Sequence, residues 1–148
     1  MDNFSPKVTE YATREKPILD DFLHLFFSQS ETSQAAGRAF WERRHTRLEQ
    51  DVPSSVAAMA AQGNAIAAWG VVQMERYASL RRIKQPVLVV NGANDIMVPT
   101  INSFILQQNI PNATLIIYPD SGHGAIFQYP ELFVSHARLF LEGERHSE

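Results

Sequence analysis

The sequence contains no cysteine. That removes disulfides, thiolate metal sites and a thiol nucleophile together, and it makes the cytoplasm the default expected location. Positive charge is not in excess either: 13 Lys and Arg stand against 16 Asp and Glu, for a net charge of −3. With both signs mixed along the chain there is no basic field to attract phosphate backbones, so no nucleic acid partner is expected. Long apolar runs are missing as well. The most apolar tract, VAAMAAQGNAIAAWGVV, is rich in alanine and interrupted by Gln62, Gly63 and Asn64, which argues against a membrane span. The opening stretch, MDNFSPKVTE, has no basic start followed by an apolar block, so it does not read as a signal peptide. No internal repeat or low-complexity tail is evident.

What is present suits one ordinary globular domain: 148 residues, 45% hydrophobic and 20% charged. His24, His45, His136 and His146 fall in helical patterns or in the polar tail, and no pair has the spacing and carboxylate company of a metal site. Surface or packing roles are expected for them, and neither a metal nor a cofactor is implied. The basic cluster Arg76, Arg81, Arg82 and Lys84 reads as a solvated helix end.

The chain divides by periodicity. From about Lys16 to Arg82 it reads as helical, with Pro17 in a first helical turn and Ile18, Leu19, Phe22, Leu25 and Phe26 at helical spacing. The polar break SQSETS offers caps for a second helix, with Ala36, Phe40 and Trp41 on one side and Glu42, Arg43, Arg44 and Arg47 on the other, ended by Asp51, Val52 and Pro53. Ser54 is the expected cap of a third helix, and Asn64 of a fourth containing Ile66, Trp69, Val72, Met74 and Tyr77. After Ile83 the pattern changes. VLVVNG reads as a strand buried on both faces, Thr100 to Asn109 as a helix, ATLIIY as a second buried strand, and Pro130 to Glu142 as a final helix.

A helical crossover makes two consecutive strands parallel, so both end at one edge of the sheet. The loop bearing Asp95 and the loop bearing His123 then emerge side by side. A carboxylate that accepts the Nδ1 proton of a histidine fixes its tautomer and stabilises the imidazolium, which is what a general base near neutral pH requires. Gly122 and Gly124 are expected to take positive φ on either side of His123 and to leave its ring uncovered. Asp120 is a rival acid, although three residues from His123 it more simply shapes the turn.

PVLVVNGANDIMVP, ATLIIYPDSGHG and YPELFVSHARLFLEG together resemble the C-terminal portion of α/β-hydrolase-fold enzymes. In that family the acid lies in a G-x-x-D-x-x-V/I-P setting, matched by Gly92, Asp95, Val98 and Pro99, and the histidine in a G-H loop, matched by Gly122 and His123. The resemblance covers Ile83 to Gly143, and residues 1–82 resemble the helical lid inserted before the acid-bearing strand. It implies an α/β fold in two parts: a lid segment at 1–82, and at 83–148 the C-terminal part of a doubly wound, mostly parallel core. Catalytic roles are implied for Asp95 and His123 in Ser-His-Asp hydrolysis of a small apolar ester or related acyl compound. Ile96, Met97, Phe127 and Trp69 are the candidate substrate contacts, while Phe26, Phe27, Phe40, Trp41, Trp69 and Met74 also fit a lid core.

The family's nucleophile sits in G-x-S-x-G. Two positions after the glycines at 37, 63, 70, 92, 122, 124 and 143 stand Ala39, Ala65, Val72, Asn94, Gly124, Ile126 and Arg145. None is Ser, Thr or Asp. Ser30 lacks a preceding apolar strand and reads as a helix cap. The 148 residues are therefore expected to form the rear half of a larger enzyme, inactive alone. The alternative is a non-catalytic module that self-associates, or pairs with a missing N-terminal half, through exposed strand edges.

Overall fold

The computed structural model describes residues 6–14, 18–46, 48–49, 52, 54–71 and 75–143. In chain order the elements are α1 (Pro6–Ala12), α2 (Leu19–Phe26), α3 (Glu31–His45), α4 (Val56–Trp69), α5 (Ala78–Arg81), β1 (Val87–Gly92), α6 (Thr100–Asn109), β2 (Ala113–Tyr118), α7 (Ala125–Gln128) and α8 (Pro130–Gly143). The architecture is a helical first half followed by a strand–helix–strand unit and two further helices.

Helix α2 starts where the Asp21 carboxylate accepts the Ile18 N–H at 3.0 Å, satisfying one of the amides a helix start leaves open. The same carboxylate, only 1% exposed as a residue, is paired with Arg14 at 3.0 Å. Phe22, Leu23 and Leu25 are buried, as helical spacing requires of one face. Ser30 caps α3 by accepting the Ser33 N–H at 3.1 Å. The two helices touch at Gly37, where a Cβ would lie 2.5 Å from Leu23 Cδ2 and 2.8 Å from Phe27 Cδ2. Glycine is required there by proximity.

Around this contact the rings form one body. Phe22 meets Phe26 at 4.7 Å, Trp41 at 5.4 Å, Phe27 at 5.6 Å and Phe40 at 5.7 Å between centroids, and Phe40 stacks on Phe127 of α7 at 4.4 Å. Such pairs add roughly 0.5–1.5 kcal/mol each beyond area burial. The apolar core therefore joins the helical half to the segment that follows the histidine loop. Phe26, Phe27, Phe40 and Trp41 all take part in it.

Several helical boundaries differ from expectation. Helix α1 precedes the first expected helix. Helix α3 ends at His45, with Thr46 as its C-cap, several residues before the expected stop. The third and fourth expected helices are one, α4, capped by Ser55, which accepts the Ala58 N–H at 3.1 Å, and not by Ser54 or Asn64. A glycine inside a helix costs only about 1 kcal/mol, and the surrounding alanines are the strongest helix formers, so the chain runs straight through Gly63 and Asn64. Tyr77 does not continue α4 but stands at the start of α5 with φ 67°. The short helix α7 was not expected. The readings placed on Pro17, Arg47, Asp51, Pro53, Val72, Met74, Arg145 and His146 fall outside the described residues.

β1 and β2 pair in parallel, in register from Val87 opposite Ala113 to Gly92 opposite Tyr118. Helix α6 packs on both strands. Burial on both faces is incomplete: Val89, Asn91, Gly92 and Tyr118 are buried, whereas Thr114 and Ile117 are exposed. Among the described residues each strand has a single neighbour, so the sheet covers less of itself than a full doubly wound sheet does. No described helix is long and apolar enough to cross a membrane.

Candidate active site

The ladder between the strands continues into the two loops at their C-terminal ends. Beyond the last register pair, Ala93 N–H donates to the Tyr118 carbonyl at 2.9 Å and Asn94 N–H to the Ser121 carbonyl at 2.8 Å. A Cβ at Gly92 would collide with the carbonyl oxygens of Ser121 and Gly122, so this glycine is what lets the acid loop lie against the histidine loop. Asn91 and Thr100 brace it from below: Asn91 Nδ2 donates to Val98 O (3.1 Å) and Ser103 Oγ (3.0 Å), and Thr100 Oγ1 donates to Gly92 O (2.6 Å).

Within this frame His123 Nδ1 lies 2.9 Å from Asp95 Oδ2, across 28 residues of sequence. The other carboxylate oxygen, Oδ1, accepts the N–H groups of Met97 and Val98, each at 2.8 Å. Asp95 is thus buried and fully satisfied, its side chain 0% exposed, while the His123 side chain is 34% exposed. For Nδ1 to bond an ionised carboxylate it must carry the proton. The lone pair is then on Nε2, which has no hydrogen-bond partner among the described residues. A ring held this way can take a proton from a hydroxyl and return it to a leaving group.

The glycines of the histidine loop act differently from expectation, since no described glycine has positive φ. They serve close approach instead. A Cβ at Gly122 would stand 2.8 Å from the Phe26 carbonyl oxygen, and one at Gly124 would stand 2.9 Å from it. Gly124 N–H donates to that oxygen at 2.7 Å, and the Phe26 ring meets His123 edge-on at 5.3 Å.

Asp120 is not a partner of His123. It takes the left-handed backbone, φ 45°, and its carboxylate accepts the hydroxyls of Ser28 and Ser30, each at 2.6 Å. Those two bonds, chiefly, hold its carboxyl below the usual range and keep it ionised. Neither Ser28 nor Ser30 was singled out with Asp120 in the sequence, because nothing in the spacing relates positions 90 residues apart. Tyr118, buried with its phenol pushed upward by desolvation, bonds His136 Nδ1 at 2.9 Å and stacks on that ring, which fixes α8 on β2.

The candidate substrate contacts differ in exposure and company. Ile96 follows Asp95 directly and is exposed; Met97 is half-buried; Phe127 stacks on Phe40 and, at 6.3 Å, on Phe26. Trp69 is 69% exposed at the end of α4, a helix with no buried side chain among those described. Among the described residues no group of three or more His, Asp or Glu side chains could hold a metal ion.

Known proteins match this architecture. A solved α/β hydrolase fold protein from Chitinophaga pinensis superposes with a TM-score of 0.78 at 38% identity, covering 91% of this chain and 48% of its own. A pimeloyl-(acyl-carrier protein) methyl ester esterase of Nitrosomonas europaea is 40% identical over 58 residues, which is 39% of this chain and 23% of that enzyme. A poly(3-hydroxyalkanoate) depolymerase of Ectopseudomonas oleovorans is 39% identical over 66 residues, 45% of this chain and 23% of that enzyme. The chain thus spans about half the length of the solved relative, and its matches to the curated ones cover under a quarter of theirs. The alpha/beta hydrolase fold family matches residues 11–130, and the chain belongs to that family.

Proposed function

We propose that this chain supplies the acid and the general base of a Ser-His-Asp hydrolase acting on a small apolar ester or related acyl compound. The 2.9 Å contact between His123 Nδ1 and Asp95 Oδ2 carries the reading. In it, His123 takes the proton of an attacking hydroxyl on Nε2 and passes it to the leaving group, and Asp95 orients the ring and stabilises the imidazolium. Residues 1–82 form the lid and 83–148 the core portion. Ile96, Met97 and Phe127 line the acyl side, with Trp69 reaching the substrate only if α4 folds over the site. The esterase and depolymerase activities named for the relatives agree with ester chemistry.

The nucleophile is not supplied by these residues. Besides the missing G-x-S-x-G, the serines nearest the histidine loop are all engaged: Ser28 and Ser30 with Asp120, Ser33 with Gln128, and Ser121 with the Tyr118 carbonyl. Hydrolysis of p-nitrophenyl butyrate by the product of the full reading frame, and by the 148-residue chain alone, tests both parts. A full product that carries a nucleophile should lose on the order of 10⁶-fold in kcat on His123→Ala, and the chain alone should give no burst. Turnover that survives His123→Ala would remove the base assignment.

The single-neighbour strands support a second reading, in which a strand edge pairs with a second copy or with a front half of the fold. Native mass spectrometry of the chain at micromolar concentration checks the first form. A clean monomer would sink self-association.

A further inference from the structure

The His123 loop is held from two directions. On the side of the acid, Asn94 N–H bonds the Ser121 carbonyl. On the other side, the anchors through Ser28, Ser30 and the Phe26 carbonyl run to the corner between α2 and α3, while Gln128 of α7 holds the Asp120 carbonyl and the Tyr129 hydroxyl donates to the Pro119 carbonyl at 3.0 Å. Ser28 Oγ donates to Asp120 Oδ1 at 2.6 Å and lies 3.3 Å from the Asp120 carbonyl oxygen; Ser30 Oγ donates to Asp120 Oδ2 at 2.6 Å. Gln128 Nε2 donates to the Asp120 carbonyl at 2.8 Å, and Ser33 Oγ donates to Gln128 Oε1 at 2.7 Å. Gly124 N–H reaches the Phe26 carbonyl at 2.7 Å. The loop is therefore pinned at Asp120 and at Gly124, with His123 between the pins.

We propose that the α2–α3 corner, acting through Ser28, Ser30 and Asp120, is the positioning element that sets His123 against Asp95. The inference rests on the acid–histidine reading given above and assigns a role to residues that touch neither substrate nor the reacting atoms. Both oxygens of an ionised carboxylate are used, each by a hydroxyl, and such charge-assisted bonds are about twice as strong as neutral ones. The left-handed backbone at Asp120 is one that aspartate tolerates better than most residues but that surrounding contacts must hold. Released from the corner, the Asp120 carboxylate loses both its partners, and the loop is left to the bonds that Asn94, Gln128 and Tyr129 make to its carbonyls. A displacement of well under 1 Å then takes His123 Nδ1 out of good hydrogen-bonding range of Asp95.

The test is NMR of the His123 ring nitrogens and Nδ1 proton in the 148-residue chain, comparing wild type with Asp95→Asn, Asp120→Gly, Asp120→Asn and Ser28→Ala. Asp120→Gly removes the carboxylate while accepting the left-handed backbone freely. Ser28→Ala removes one hydroxyl and spares the cap that Ser30 provides to α3. Both should raise exchange of the Nδ1 proton with water by about tenfold and move the ring signals toward those of Asp95→Asn, with the far-UV circular dichroism unchanged. Asp120→Asn, which keeps one acceptor oxygen, should fall between wild type and Asp120→Gly.

Should Asp120→Gly unfold the chain, Ser28→Ala decides alone. If Asp95→Asn alters the His123 signals while Ser28→Ala and any folded Asp120→Gly leave them at their wild-type values, the positioning role is overturned and the acid–histidine pair stands. Signals that do not respond to Asp95→Asn remove the pair itself, and the positioning role with it.

Discussion

Helices α2 and α4 are both rich in apolar residues and both precede the first strand, yet they meet opposite fates. α2 buries Phe22, Leu23 and Leu25, and its C-terminal end grips the histidine loop; α4, fourteen residues without a charge, buries no described side chain. The difference lies in what each side chain can reach. α2 sets its aspartates at the start and its large rings along one face, and that face meets α3 at the gap left by Gly37. α4 is built mostly of alanine, with Val56, Met59, Ile66 and Trp69 exposed. Apolar composition makes α4 a helix, but only matched large side chains make a core.

That contrast can be broken most forcefully at Phe22, the ring that four others touch. Phe22→Ala should cost about 3–5 kcal/mol in urea unfolding, a large fraction of the roughly 5–15 kcal/mol that holds a typical domain folded. The contrast is sharpened by one substitution made in both regions. Gly37→Ala forces a methyl group into Leu23 and Phe27 and should destabilise by about 1–3 kcal/mol. Gly63→Ala, with nothing within 4 Å of its Cβ, should stabilise by about 0.5–1 kcal/mol. Denaturation midpoints read both, and equal shifts at the two sites would show that α4 packs as closely as α3.

The core half was legible because its signals are local. VLVVNG and ATLIIY are β-branched runs of strand length, the helix between them is as long as a crossover needs, and both strands occur where the sequence places them. Parallel pairing then brought Asp95 to His123. The helical half was less legible because capping residues are plentiful there. Ser54, Ser55 and Asn64 are all competent caps, and it is Ser55 that accepts the Ala58 N–H, with the helix running on through Asn64. What the sequence could not disclose is the corner of α2 and α3 as a support for the histidine. Ser28 and Ser30 look like ordinary boundary residues, and their partner lies across the fold. The glycines misled for a related reason: Gly122 and Gly124 are needed by the Phe26 carbonyl, a neighbour that no local pattern reveals.

The hydrogen-bond ladder that runs past the ends of β1 and β2 has a bearing on descent. Because Ala93 and Asn94 are stitched to Tyr118 and Ser121, the span from Gly92 to Asp95 and the span from Tyr118 to His123 cannot gain or lose a residue independently. The stretch of α6 beyond Ser103 takes no part in that stitching. Lineages carrying this fold are thus free to reshape the crossover while inheriting the two short spans as a single unit of fixed length.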